Sequence, residues 1–155
     1  MGIPEVTPVA VKDVDFGEGV KIVQPCNLYD CKVGSHSCIG PFVEIQKGAK
    51  IGKYCKIQSH SFICDMASVG DHCFVGHGVM FINDDFKTGG PANGDRSLWK
   101  AIEIGNRVSI GSNSTILPVK ICDGCVIGAG SVVTKNLTQK GIYAGNPARL
   151  IRELQ

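Results

Sequence analysis

The sequence predicts an all-β chain wound into a parallel β-helix. Three observations predict it: aliphatic residues recur six apart, a small or β-branched residue stands two before each, and glycine follows many of them. The large set runs Phe16, Ile22, Leu28, Val33, Ile39, Ile45, Ile51, Ile57, Ile63, Val69, Val75 and Phe81, with a single step of five after Leu28. The second set runs Val14, Val20, Cys26, Cys31, Ser37, Val43, Ala49, Cys55, Ser61, Ala67, Cys73 and Val79. Two inward positions separated by one outward residue give the period of a short strand. A strand this short does not stand alone, so each must pair with its equivalents in neighbouring coils, which makes a solenoid. An amphipathic helix is the competing reading, but a six-residue spacing drifts around a 3.6-residue surface and leaves no apolar stripe.

The pattern resumes at Ile104, Ile110, Ile116, Ile121, Ile127 and Val133, with Ile102, Val108, Ser114, Val119, Cys125 and Ser131 as partners. With three faces to a coil, the units before residue 82 make about four coils and those after residue 101 about two, or about six in all. Gly17, Gly34, Gly40, Gly52, Gly70 and Gly76 follow the large aliphatic, where a sharp corner calls for a residue without Cβ. The spacing does not set the hand of the coil.

Two places break the period within what reads as a single domain, residues 1–155. Residues 82–101 form a polar loop centred on Gly89, Gly90, Pro91 and Gly94, long enough to expect function of it. Trp99 at its far end is placed to dock the loop on a coil or on a neighbouring subunit. Residues 135–155 are expected to cap the last coil, whose edge would otherwise be unpaired.

Composition narrows the function. The net charge is +2 at pH 7 with no long block of either sign, which does not indicate a nucleic-acid surface. The apolar runs are too short to span a membrane, and the first residues lack the apolar core of an export signal. The eight cysteines are therefore expected as free thiols in a reducing cytoplasm. Cys26, Cys31, Cys55, Cys73 and Cys125 fall on the inward small register and read as core. Cys122 falls on a corner, so it is expected to point away from Cys125 and not to form a redox or zinc pair. His36, His60, His72 and His77 flank corners without a metal-binding spacing, and no metal is expected.

Ser109-Ile110-Gly111-Ser112-Asn113-Ser114-Thr115-Ile116-Leu117-Pro118, Ile127-Gly128-Ala129-Gly130-Ser131-Val132-Val133-Thr134 and Ala144-Gly145-Asn146-Pro147-Ala148-Arg149 resemble the hexapeptide acyltransferases. That resemblance implies a left-handed parallel β-helix, acetyl-CoA as co-substrate, and a homotrimer with its active sites in grooves between subunits. Cys26-Asn27-Leu28-Tyr29, Gly40-Pro41-Phe42-Val43-Glu44-Ile45-Gln46, Ser59-His60-Ser61-Phe62 and Gly76-His77-Gly78-Val79-Met80-Phe81-Ile82-Asn83-Asp84 look like one branch of it. These are the bacterial UDP-2-acetamido-3-amino-2,3-dideoxyglucuronate N-acetyltransferases of lipopolysaccharide and O-antigen biosynthesis. The resemblance places Asn83 against the amine of a UDP-linked sugar. In this loop Asp85-Phe86-Lys87-Thr88-Gly89 departs from the Tyr-Pro-Arg-like stretch usual in that branch.

Acetyl transfer to an amine needs a neutral nucleophile, close approach to the thioester and donors for the developing oxyanion. Asn83 is expected to orient the amine, and Asp84 to hold it or take its proton. His77 is the candidate base, as in enzymes that acetylate hydroxyls. Gly111, Ser112, Gly128 and Ala129 are expected to wall the coenzyme channel, where a pantetheine arm needs close backbone approach. Lys135 and Arg149 are candidate partners for coenzyme phosphates, and Lys87, Arg96 or Lys100 for a uronate carboxylate or diphosphate. The alternatives are a dTDP-3-amino-3,6-dideoxyhexose N-acetyltransferase, an O-acetyltransferase using His77, and a non-catalytic trimeric scaffold.

Overall fold

The computed structural model describes residues 2–155. Short strands stack in parallel on three faces, in the left-handed parallel β-helix expected. The first face runs from Val11–Lys12 to Val132–Val133, the second from Asp15–Phe16 to Lys120–Ile121, and the third from Lys21–Ile22 to Gly141–Ala144. Register is set by equivalent inward residues lying over one another: Leu28 on Ile45 and Ile45 on Ile63 on the first face, and Ile39 on Ile57 on the third. Among the described residues the only helix is a 3-10 turn, Arg96–Leu98.

The coil count needs correction, from about six to seven. Val11 pairs with Leu28 and opens a first turn, five residues before Phe16. At the other end Leu137 bridges Ile121 and Tyr143 pairs with Ile127, completing a seventh turn inside the segment expected to be cap. The steps around Val11 and Leu137 are shorter than six, which hid both from a six-residue search. Arg149–Glu153 alone then turns back, antiparallel on Gly141–Ala144, and supplies the last edge of the third face with a partner.

The core is the stack of inward residues. Ile45, Ile63, Val75, Phe81, Ile116 and Val133 are wholly buried, and so are the inward serines Ser37, Ser61, Ser114 and Ser131. Burying a hydroxyl without a partner is costly, and each serine has one. Ser37 Oγ donates to Gly52 O at 2.8 Å and Ser61 Oγ to Gly76 O at 2.8 Å. Cys26, Cys31, Cys55, Cys73 and Cys125 lie in the core as expected. Burial pushes the Cys31 and Cys125 thiols up to about 11.

The glycines that directly follow the large aliphatic residues serve packing, not backbone torsion. Gly34 has no positive φ, but a Cβ on it would stand 2.6 Å from the carbonyl carbon of Gly52 in the next coil. The left-handed position comes two residues later and is taken by His36, Tyr54 and His72, whose rings stack at 5.0 and 4.9 Å along one edge. An ordinary L residue loses about 1–2 kcal/mol in that conformation, so the stacked rings offset a local cost.

One cysteine expectation is overturned. The sulfurs of Cys122 and Cys125 lie 3.4 Å apart. The Cys122 side chain packs against the core instead of leaving it.

Candidate functional site

The three corners of each coil stack into three vertical edges, and the candidate residues divide between two of them. Gly76-His77-Gly78, Gly111-Ser112-Asn113 and Gly128-Ala129-Gly130 lie in successive coils on the edge between the third and first faces. The His77 N–H donates to Ser112 Oγ at 3.1 Å, and the Gly130 N–H to Ser112 O at 2.8 Å. His77 thus stands directly below Ser112 and Ala129, a proximity that separate motifs in the sequence did not reveal. A Cβ on Gly111 would come within 2.4 Å of Ala129 N, so this lane is kept narrow and flat by stacking. The ring of His77 is exposed, with Nδ1 2.8 Å from Ser59 Oγ and Nε2 without a partner among the described residues. Arg149 follows the last corner of this edge and is exposed. Lys135 is not here; its corner lies on the edge between the first and second faces.

That other edge carries the loop, which leaves the coil after Met80–Phe81 and returns at Ile102–Ile104. Asn83 is half-buried at its base, where its main-chain oxygen accepts the Lys100 N–H at 2.9 Å and closes the loop. Its side-chain Nδ2 donates to the main-chain oxygen of Asp65 at 3.0 Å. A carbonyl oxygen only accepts, so Nδ2 must face it and Oδ1 faces away, free to accept.

Asp84 is engaged within the loop itself. Its two carboxylate oxygens accept the N–H of Phe86 at 3.0 Å and of Ala92 at 2.7 Å, stapling the loop to itself. Arg96 reaches back to Asp65, with Nη2 3.1 Å from Oδ1 and 2.9 Å from Oδ2. Lys100 pairs with Asp85. That pairing holds the Asp85 carboxyl below the usual carboxylate range. Two of the three loop cations are therefore already paired inside the chain. Lys87 makes no ion pair among the described residues and lines a small cavity of about 120 Å³ with Asp84, Thr88, Ser97, Leu98 and Lys100. Trp99 is half-buried and ends the 3-10 turn, its N–H donating to Arg96 O.

Asp65 is the residue that the sequence reading passed over. It is buried, yet its only local signal is a polar residue on a corner, which most corners carry.

The chain matches family models in two stretches: residues 30–65 match the bacterial transferase hexapeptide (six repeats), and residues 101–135 the hexapeptide repeat of succinyl-transferase. The bifunctional protein GlmU of Gloeobacter violaceus is 32% identical over 136 residues, covering 82% of this chain and 29% of that protein. The chain thus spans about a third or less of the length of the curated relatives it matches. A hexapeptide-repeat containing acetyltransferase of Vibrio cholerae, solved with acetyl coenzyme A, superposes with a TM-score of 0.68 at 25% identity over 79% of this chain and 70% of that one. PerB of Caulobacter crescentus, solved with CoA and GDP-perosamine, superposes with a TM-score of 0.63 at 18% identity over 92% of this chain and 57% of that one. The repeats and the fold of this chain are those of the hexapeptide-repeat transferases.

Proposed function

We propose that the chain is an acetyl-CoA-dependent N-acetyltransferase acting on the amino group of a nucleotide-linked sugar. The observation that carries this is Asn83, whose Oδ1 is held outward at the base of the loop as an acceptor for an amine N–H. Similarity to proteins solved with acetyl coenzyme A, and with CoA and GDP-perosamine, supports the two substrates. A sugar amine is less basic than lysine, so a useful share of it is neutral near pH 7. Its lone pair attacks the thioester carbonyl carbon, the C–S bond breaks, and the amine proton leaves as the coenzyme departs as a thiol. No strong side-chain base is required for that step. An acceptor that aligns the amine and an N–H that faces the thioester oxygen are sufficient.

In one chain Asn83 and the lane of His77, Ser112 and Ala129 occupy different edges of the same face. A homotrimer with grooves between subunits, as the resemblance implies, lets the lane of one copy face the loop of the next. Gly111, Ser112, Gly128 and Ala129 then flank the pantetheine arm, with Arg149 near the coenzyme phosphates and Lys135 reached only across the groove. Cytoplasmic synthesis of surface polysaccharide fits such an activity.

The finer reading is UDP-2-acetamido-3-amino-2,3-dideoxyglucuronic acid as substrate, with Lys87 the loop cation open to its carboxylate. One observation favours a second reading: Arg96 and Lys100 are paired internally, which suits an uncharged amino sugar such as a dTDP-3-amino-3,6-dideoxyhexose. A thiol-release assay with acetyl-CoA against UDP- and dTDP-linked amino sugars and sugar alcohols tests both. Turnover of amines is expected. Turnover of hydroxyls alone would replace this reading with O-acetylation by His77, and no turnover with no coenzyme binding would leave a scaffold.

A further inference from the structure

We propose that Asp65 is the positioning residue of the amine site, holding Asn83 in its reactive orientation, and that Arg96 is its lock and not a substrate ligand. The inference rests on the reading of Asn83 as the residue that meets the amine.

Asp65 touches the loop at both ends with different atoms. Its main-chain oxygen takes Nδ2 of Asn83 at the loop's start, and its carboxylate takes Nη2 of Arg96 at the loop's far limb. The Asp65 side chain is 9% exposed while that of Arg96 is 55% exposed, so the carboxylate is the fixed partner and the guanidinium comes to it. The coil below is shaped for this carboxylate. Gly48, at φ +80°, leaves open a space in which a Cβ would stand 2.7 Å from Oδ1 of Asp65. The Asp65 N–H in turn faces Gln46 Oε1 at 3.4 Å, and Gln46 Nε2 donates to Glu44 Oε1 at 3.1 Å. Side chains of the coil below thus hold Asp65 from beneath.

The lock works through the orientation of the Asn83 amide. With Nδ2 tied to Asp65, the amine meets a carbonyl oxygen. If the loop opens, the amide is free to turn over and present its own N–H₂, which repels the N–H groups of the nucleophile. Arg96 guards against this by holding the far limb down, assisted by the 3-10 turn that Asp95 caps and by the Lys100 N–H on Asn83 O. A substrate carboxylate meets a guanidinium whose Nη2 is already committed to Asp65. To take that nitrogen it would have to displace a buried acid, leaving that charge unpaired.

The test is a double-mutant cycle on turnover of the amino sugar, using Asn83→Ala, Arg96→Gln and their combination, with Arg96→Lys as the conservative variant. Arg96→Gln is expected to lower kcat about tenfold, the loss typical of a reacting group held slightly out of place. Arg96→Lys should recover most of that, and KM for acetyl-CoA should not move, since the coenzyme lane lies on another edge. The double variant should be no worse than Asn83→Ala alone, because the lock has nothing left to hold. Losses that multiply would overturn the inference. So would an Arg96→Gln variant whose kcat is unchanged, or one that raises sugar KM only for acidic sugars.

Should the wild-type protein acetylate no amine, the functional reading fails and the clamp is decided without turnover. By NMR, the Asn83 side-chain amide protons should be protected from exchange in the wild type and exchange at least tenfold faster in Arg96→Gln and in Asp65→Asn. Equal exchange in all three proteins would show that Asp65 and Arg96 do not hold Asn83.

Discussion

Ser59 Oγ lies 2.8 Å from Nδ1 of His77, which fixes the imidazole from one side and leaves Nε2 facing out of the edge that carries Ser112 and Ala129. A histidine anchored this way can serve as a base for a hydroxyl, yet an amine that is already neutral has little need of one. His77→Ala is therefore expected to leave kcat for the amino sugar within about threefold. An O-acetyltransferase would lose roughly a hundredfold or more. Steady-state kinetics on paired amine and hydroxyl acceptors separates the two, and a large loss on the amine would make His77 part of the N-acetylation step.

Asn83→Ala removes the acceptor and the hydrogen bond to Asp65 together. The expected result is a fall of about a hundredfold in kcat for the amine, the scale set by misalignment of a bound nucleophile. Coenzyme affinity, measured by calorimetry, should be unchanged because the glycine lane is untouched. Unaltered turnover would remove Asn83 from the site.

Stacking, and not torsion, dictates the glycines that directly follow the large aliphatic residues, and two substitutions test it. A Cβ on Gly70 would lie 2.6 Å from Gly105 O, so Gly70→Ala should destabilise the fold by about 1–3 kcal/mol, as overpacking does. Gly90 has open space around it, and Gly90→Ala should be close to silent. Urea unfolding of the two variants, compared at equal m-value, measures the difference.

The sulfur contact between Cys122 and Cys125 makes this the cysteine pair most easily joined. Diamide, which withdraws the two thiol hydrogens, should form a disulfide between them, seen as a single cross-linked peptide by mass spectrometry. Cys122 is only partly buried and gives the reagent access to this pair, whereas Cys26, Cys31, Cys55 and Cys73 are all buried and should stay reduced. A cross-link elsewhere, with this pair untouched, would contradict the geometry.

Acid should weaken the protein through three surface carboxylates. Asp85 is held low by Lys100, Asp95 by the hydroxyl and N–H of Ser97, and Asp123 by the N–H and side chain of Asn106. Each is depressed in the folded state, so its contribution is complete above the ordinary carboxylate value near pH 4 and is lost as pH falls through the lower folded value. Solvent screening keeps each contribution small. Melting temperature should hold steady from pH 7 to about 5 and drop below about 4, less steeply in Asp123→Asn.

The coil was legible because its inward residues repeat at almost constant spacing and each must lie on its equivalent in the next turn. Leu28, Ile45 and Ile63 announce one another in this way. Val11, Leu137 and Tyr143 obey the same stacking, but the steps from Val11 to Phe16 and from Val133 to Leu137 are shorter than six, so the pattern that found the others missed the first and last turns. Cys122 was misread because a corner position does not by itself say whether the side chain leaves the coil or packs against it.

By itself the sequence determined the solenoid, its core and the one place where the chain leaves it, since these depend on local spacing and on the burial of aliphatic side chains. Tertiary structure alone decided which candidates are neighbours. Coiling sets His77 beside Ser59, 18 residues away, and beside Ser112, 35 away because the loop intervenes. The same stacking brings Asn83 to Asp65 and pairs Arg96 with that buried acid. Such pairings follow from how coils and loop lie against one another in space, and no local pattern of residue types encodes them.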